Sequence, residues 1–173
     1  ALAALGRHRV LCGHREGPYG ATRWGQQVQD WLGERYPGYG SDGQWYVGRP
    51  LLVTANDYQL RLFNGDTGVV VAAGDGGHGR AAFRRDGVVE ELAPSRLGEV
   101  QTVHAMSVHR SQGSQFDRVT LVLPPVGSPL LTRELVYTAV TRAKEHVRIV
   151  GSRQALVAAA RTPIIRASGL RRG

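Results

Sequence analysis

Residues 108–123 read VHRSQGSQFDRVTLVL, a polar loop with one glycine that leads directly into an apolar run. The run at 119–123 is rich in Val and Leu without clear alternation, which is typical of a strand buried on both faces. A helical pattern at 132–144 follows, then a second apolar run at 147–150, and an earlier run lies at 9–12. Strands that alternate with helices predict an α/β lobe with a parallel, doubly wound sheet.

Two further helices and one strand complete this predicted lobe. The first helix is expected to begin with Thr22 as its N-cap, and its apolar face is formed by Trp24, Val28, Trp31 and Leu32. Ser152 is expected to cap a final alanine-rich helix. A single strand-like segment is expected over 101–108.

Between residues 45 and 98 the pattern changes to short apolar runs separated by glycine-bearing turns. Strand candidates lie at 50–54, 68–71, 80–83 and 88–92, and Asp86-Gly87 between the last two is a hairpin signal. Several short strands at even spacing predict a small β-barrel. The predicted domains are therefore a discontinuous α/β lobe, residues 1–44 and 99–173, and a barrel insert, residues 45–98.

The composition points to an anionic partner. The net charge is +8 and the isoelectric point is about 10.5, which favours nucleic acid, with a merely solvated basic surface as the alternative. The single cysteine, Cys12, excludes an intrachain disulfide and a cysteine-based metal site, and it fits a reducing, cytoplasmic compartment. The sequence contains neither a membrane-spanning segment nor a signal peptide.

The helix at 132–144 carries one arginine in a position of interest. Thr138 and Arg142 lie four residues apart, away from the apolar stripe formed by Leu135, Val136, Ala139, Val140 and Ala143. A guanidinium at the end of a helix beside a parallel sheet can reach a nucleotide in a crevice. It can equally complement the helix C-terminus as a surface residue, and spacing alone favours that second interpretation.

The polar loop before the strand at 119–123 has the residue types that contact phosphates or sugars. Gly113 permits close backbone approach, and hydrogen bonds can come from Ser107, His109, Ser111 and Gln112. An ordinary connecting loop with capping serines is the alternative. The segment 74–79 matches GxGxxG only formally, because a short strand and a turn follow it instead of a helix.

These segments resemble the motifs of RecD-type DNA helicases of superfamily 1. Residues 109–117 resemble motif V, residues 135–143 resemble motif VI, and residues 15–20 resemble motif IV. The similarity extends to 48–50, 62–66 and 94–97. It implies a RecA-like, P-loop-NTPase-type second motor lobe, with a parallel sheet and flanking helices, interrupted by a small SH3-like β-barrel.

The resemblance also implies residue roles. Arg142 would be an arginine finger on the γ-phosphate of ATP, and Arg15 is a weaker candidate for the same phosphate. Nucleotide contacts are implied for Gly113, Gln115 and Thr141. Contacts with single-stranded DNA are implied for Ser107, His109, Ser111 and Gln112. Two positions depart from the family pattern, since Gln115 replaces the usual Glu and Gly25 replaces the usual Asn.

The implied activity is ATP-driven 5′-to-3′ translocation on single-stranded DNA, in a double-strand-break repair enzyme of the exodeoxyribonuclease V (RecBCD) type. The sequence has no GxxxxGK[ST] loop and no metal-ligand spacing, so ATP and Mg²⁺ would be bound mainly by an upstream RecA-like lobe. The chain is expected to be a fragment without ATPase activity of its own. RecB-like and RecC-like subunits are implied partners. A non-catalytic single-strand-binding or subunit-assembly module is the alternative.

Overall fold

The computed structural model describes residues 1–41, 43–74 and 79–164. Four helices and nine strands are described in these parts of the chain. In chain order they are α1 (Leu2–Leu5), β1 (His8–Cys12), α2 (Ala21–Arg35), β2 (Pro50–Val53), β3 (Thr67–Val71), β4 (Arg80–Arg85), β5 (Val88–Leu92), β6 (Val100–Thr102), β7 (Ala105–Ser107), β8 (Phe116–Val122), α3 (Arg133–Val140), β9 (Ala143–Val150) and α4 (Arg153–Arg161).

Four strands form a parallel sheet in the order β7-β1-β8-β9. The chain passes from β1 to β7 on one side and from β8 to β9 on the other, so the strand order reverses between β1 and β8. Open α/β sheets bind ligands at such reversals in the crevice outside the carboxyl ends of the strands, which here is the edge that follows Cys12 and Val122. The predicted α/β lobe with a parallel sheet and flanking helices is confirmed.

The core of this sheet lies under α3 and α4. Leu11 and Leu121 are fully buried against Ala139 and Ala159, whose small side chains let the helices approach the strands closely. On the opposite face, α2 packs against β7 and β1. Trp24 contacts a smaller cluster there, which contains Cys12, Ala21 and Val122.

The other five strands form an antiparallel sheet in the order β5-β4-β3-β2-β6. The predicted turn between β4 and β5 is confirmed, because Arg85 pairs with Val88 and the two intervening residues, Asp86 and Gly87, both have positive φ. Leu51, Leu62 and Phe83 form the core of this unit. Residues 75–78, within the glycine-rich segment, lie outside the described residues.

The single strand expected over 101–108 is wrong, because this segment is divided between the two sheets. β6 pairs with β2 of the antiparallel sheet, and β7 pairs with β1 of the parallel sheet. At the crossing, the Val103 amide donates to Pro50 O at 3.0 Å, and the Val103 side chain is buried. A continuous strand-like segment therefore conceals a change of partner.

The helix expected over 132–144 ends earlier, at Val140, because the chain turns at Thr141 and joins β9 at Ala143. Ala143 pairs with Phe116 instead of extending the apolar stripe of the helix. Thr22 is not the N-cap of α2 either. Gly20 occupies that position, and the Thr22 hydroxyl donates to Glu16 at 2.9 Å.

Candidate functional site

Arg142 joins the end of α3 to the loop that precedes β8. Its Nε donates to Thr138 O at 3.3 Å, and its Nη1 donates to Ser114 O at 3.2 Å. Its Nη2 donates to the Thr141 hydroxyl at 3.3 Å, and its own carbonyl accepts from the Phe116 amide at 2.8 Å. Ser114 and Phe116 of the predicted motif V therefore meet Thr138, Thr141 and Arg142 of the predicted motif VI at the amino-terminal edge of β8 and β9.

The Arg142 guanidinium keeps hydrogen-bonding capacity in this position. A guanidinium carries five N–H donors, and three of them are used by protein oxygens at 3.2–3.3 Å. The side chain is half-buried, so the remaining donors are held in a fixed place beside solvent. Such a group can bind an incoming phosphate without first being ordered.

Gly113 and Gln115 are exposed in the loop next to this guanidinium. Gly113 has φ of +84°, and a Cβ built on it would meet nothing within 4 Å. Glycine is therefore favoured here by the backbone conformation and not by a lack of space for a side chain. Thr141 uses its hydroxyl to donate to Thr138 O at 2.9 Å. Its role in this structure is to orient Arg142, since it accepts the bond from Nη2.

The predicted DNA-contacting residues divide into exposed and buried ones. His109 and Gln112 are exposed, and Ser107 is half-buried at the end of β7, where its hydroxyl accepts from the Arg110 amide at 3.3 Å. Ser111 is completely buried, and its hydroxyl donates to Val108 O at 2.7 Å. The expectation that the Ser111 side chain contacts DNA is therefore not supported, because the hydroxyl closes a turn inside the protein.

A polar groove of about 410 Å³ runs between α2 and β7. Among the residues that line it are Arg15, Thr22, Gln26, Gln101, Ser107 and Arg110. Arg110 also donates from Nη1 to Gln101 Oε1 at 3.3 Å. Sequence reasoning missed Arg110, although it lies between two predicted contact residues, and no local signal marked Gln101.

Arg15 does not lie beside Arg142. It follows the carboxyl end of β1, whereas Arg142 precedes the amino end of β9, and the two strands belong to one parallel sheet. The seven residues of β8 separate these edges by about 20 Å. The Arg15 side chain is 73% exposed, and its Nε lies 3.5 Å from Glu16 Oε1. The structure therefore groups Arg15 with Ser107 and Arg110.

A partly buried polar cluster lies at the crossing between the two sheets. His104 Nε2 lies 3.5 Å from the hydroxyls of both Tyr39 and Tyr46. Burial, and then the charge of Arg9, lowers the pKa of His104 to about 4. Arg9 donates from Nη1 to Val103 O at 2.5 Å, on the same crossing segment.

The structure gives little support for a cysteine nucleophile or for a metal centre among the described residues. Burial raises the pKa of the Cys12 thiol to about 12, so this group stays protonated and is a poor nucleophile. Within the described ranges, no group of three or more His, Cys, Asp or Glu side chains is placed to hold a metal ion. No helix in those ranges is long and apolar enough to span a membrane.

The family comparison agrees with this arrangement. Residues 102–150, which include β7, β8, α3, β9 and the Arg142 site, match the UvrD-like helicase C-terminal domain. A Bacteroides Pif1 helicase, solved with ADP-AlF3 and single-stranded DNA, has a similar fold, with a TM-score of 0.50 and 18% sequence identity. That similarity covers 88% of this chain and 44% of the Pif1 chain. The chain thus contains a DNA helicase C-terminal domain.

Relatives found by sequence similarity indicate which family of DNA helicases the chain belongs to. The RecBCD enzyme subunit RecD of Mycolicibacterium smegmatis is 56% identical over 172 residues, which is 99% of this chain and 30% of the relative. The ATP-dependent RecD2 DNA helicase of Deinococcus radiodurans is 37% identical over 165 residues, which is 92% of this chain and 22% of that protein. The resemblance to RecD-type helicases is confirmed, and the chain spans less than a third of the length of these curated relatives.

Proposed function

We propose that this chain is the second motor lobe of a RecD-type, ATP-dependent DNA helicase. The observation that carries the proposal is the position of Arg142, which is fixed between α3 and the loop before β8 with donors to spare. An arginine supplied across an interface stabilises charge on a transferred phosphoryl group. Arg142 is the residue of this chain that fits that role.

The neighbouring residues fit a nucleotide at the same edge. Gly113 and Gln115 are exposed there, and the Gln115 amide can hydrogen-bond a ribose hydroxyl, although it lacks the charge of the usual Glu. Thr141 holds the guanidinium in place. ATP, bound together with Mg²⁺, would supply the phosphoryl group, and hydrolysis of ATP would supply the energy. We assign the phosphate loop and the Mg²⁺ ligands to an upstream RecA-like lobe.

Single-stranded DNA is proposed to follow the groove beside α2. Ser107 lines it, and two further lining residues, Arg15 and Arg110, can contact phosphates. His109 and Gln112 are exposed near Arg110 in the chain. This position gives Arg15 a DNA contact as an alternative to the γ-phosphate. Because the groove and the Arg142 site share the segment from β7 to β8, movement at the nucleotide can be transmitted to the DNA.

The remaining assignments are proposals that the similarity to the relatives and the fold support. We propose 5′-to-3′ movement, a role in double-strand-break repair, RecB-like and RecC-like partner subunits, and a cytoplasmic location. We also propose that residues 1–44 and 99–173 act as one lobe and that residues 45–98 form an SH3-like barrel, to which β6 (Val100–Thr102), just past that boundary, adds a strand by pairing with β2. Their support is the similarity to RecD and RecD2 and the antiparallel order of β2 to β6.

The test is the ATPase activity of the complete polypeptide that contains this chain. We expect Arg142→Ala to lower kcat by about 10³- to 10⁵-fold with little change in ATP affinity, because the contact forms mainly in the transition state. Arg133→Ala is the matched control. It removes an exposed arginine at the other end of α3, whose recorded ion pair is with the adjacent Glu134.

The non-catalytic alternative predicts a different result. If Arg142→Ala and Arg133→Ala both turned over ATP at the wild-type rate, the arginine-finger assignment would be wrong. If, in addition, single-strand binding were intact, the chain would be a DNA-binding module, which the polar groove and the net charge of +8 also support.

A further inference from the structure

The antiparallel sheet presents two exposed aromatic rings on one loop, between β2 and β3. Tyr58 is 75% exposed and Phe63 is 48% exposed. Their ring centroids lie 6.3 Å apart at an interplanar angle of 77°. This edge-to-face arrangement leaves most of Tyr58 and about half of Phe63 in contact with solvent, where large aromatic side chains are normally unfavourable.

The loop is rigid despite its exposure. Asp57 exchanges two backbone hydrogen bonds with Leu62, at 2.7 and 2.9 Å, and its carboxylate accepts from the amides of Gln59 and Leu60. The Leu60 and Leu62 side chains are buried in the core of the sheet. The rings are therefore displayed by a fixed backbone, so little entropy is lost when they bind a partner.

Hydrogen bonds from outside this turn fix each ring-bearing segment. The Asn56 carboxamide donates to the Tyr58 hydroxyl at 3.4 Å and accepts from the Asn64 amide at 2.9 Å. The Phe63 amide donates to the Asp66 carboxylate at 2.8 Å. Backbone amides thus hold both acids of the loop in place, although each carboxylate keeps its negative charge.

An arginine lies between the two aromatic residues in the chain. Arg61 is exposed and has φ of +50°, an uncommon conformation for a residue with a side chain. Among the described residues it makes no ion pair. The loop therefore presents a ring, a guanidinium and a second ring from alternate positions around buried leucines.

The loop also lies close to the proposed DNA groove. Thr54 bonds to Glu99 O at 3.0 Å, and the Asp57 carboxylate lies against Gly98. From Gly98 the chain continues into β6, and Gln101 of β6 lines the groove and accepts from Arg110. Three residues of extended chain span about 10 Å, so a strand leaving the groove reaches the loop within a few nucleotides.

We infer that Tyr58 and Phe63 form a stacking platform for unpaired bases of single-stranded DNA, with Arg61 on the neighbouring phosphate. Aromatic faces stack on any base, so the platform would bind without sequence preference. A protein partner could also use such rings, but the exposed Arg61 and the adjoining groove favour a polyanion. The inference rests on the proposed function, since it adds a contact to the same DNA path.

The experiment measures binding of oligothymidylates by the complete polypeptide. Each oligonucleotide of a series carries one abasic site at a different position. We expect wild-type affinity to fall about tenfold when the missing base is the one on the platform. In Tyr58→Ala and Phe63→Ala, affinity for the intact oligonucleotide should fall by a similar factor. In these variants, an abasic site at the platform position should cause no further loss of affinity. Tyr36→Ala, which removes another exposed tyrosine, is the control and should behave like wild type.

The possible failures can be told apart. If wild-type protein bound none of the oligonucleotides, the proposed function itself would fail. If it bound them, but both platform variants kept the wild-type abasic profile, the stacking inference would be wrong. Loss of a partner subunit with unchanged DNA binding would also overturn it and identify a protein contact. Tyr58→Phe should keep wild-type behaviour, and thermal melting of each variant shows whether the fold is retained.

Discussion

At the residue scale, His104 shows how a partly buried, uncharged histidine can link the parallel and antiparallel sheets. Its imidazole lies between the hydroxyls of Tyr39 and Tyr46, and the Tyr46 hydroxyl also donates to Gln29 at 3.2 Å. Burial lowers the pKa of His104 to about 4, so the ring is neutral near pH 7. Protonation would place a charge where Arg9 already contributes one.

This shift predicts a pH dependence of stability. The unfolded chain binds a proton at His104 near pH 6.5, and the folded chain does so near pH 4. The stabilising contribution is therefore complete above pH 6.5 and is lost as the pH falls toward 4. Urea unfolding should show a decrease of the order of 3 kcal/mol over that range.

His104→Asn is the comparison for this experiment. It should be less stable than wild type at pH 7.5 because the contacts with the tyrosines are lost, and its stability should fall less between pH 6.5 and 4. Parallel curves for the two proteins would show that other groups cause the dependence. His8, whose pKa is also lowered by burial and by Arg148, remains in both proteins.

At the element scale, α3 and α4 begin with the same kind of N-cap, but they differ in their relation to the proposed Arg142 site. The Thr132 hydroxyl accepts from the Leu135 amide at 3.2 Å, and the Ser152 hydroxyl accepts from the Ala155 amide at 3.0 Å. Each bond satisfies one of the unpaired amides at a helix N-terminus. Only α3 leads directly to Arg142, so its cap is the one that we expect to affect the proposed site.

Replacing each cap with alanine separates these roles. We expect Ser152→Ala and Thr132→Ala each to lower the free energy of unfolding by about 1 kcal/mol. In the complete polypeptide, Ser152→Ala should keep wild-type kcat, whereas Thr132→Ala should lower it because the end of α3 is less firmly placed. Chemical denaturation and steady-state ATPase assays measure the two effects. Equal kcat values in both variants would argue against a link between the α3 cap and Arg142.

At the scale of the whole molecule, the two sheets are joined by a short crossing, and the proposed functions lie on different parts of this assembly. The Arg142 site is at the amino-terminal edge of the parallel sheet, and the groove is beside α2. The aromatic loop belongs to the antiparallel sheet. Nucleotide and DNA can thus occupy separate surfaces, as coupling between them requires.

The isolated 173-residue chain is expected to bind DNA but not to hydrolyse ATP, because its sequence contains no phosphate loop. Its affinity for single-stranded DNA should fall as salt rises, since bound phosphates release counterions. Measurements of ATP turnover and of anisotropy across a salt series check both statements. ATP turnover that persists through purification and disappears in Arg142→Ala would contradict the first.

The sequence predicted much of this fold because many of its signals are local. Turn residues at Asp86-Gly87, the cap at Ser152 and the apolar run at 119–123 act over a few neighbouring residues, and the structure confirms each of them. The boundary between α3 and β9 was wrong. The end of that helix is set by Phe116, which is distant in sequence and pairs with Ala143.

By itself, the sequence determined the α/β class, the β-rich middle and the order of the helicase motifs, because periodicity, turn chemistry and motif spacing are properties of the chain. Only the tertiary structure divided 101–108 between two sheets, buried Ser111, and placed Arg15 and Arg142 at opposite edges. The physical reason is that pairing partners and burial depend on contacts between residues far apart in the chain. A local pattern specifies which face of a helix or strand is apolar, but not which part of the protein will pack against that face.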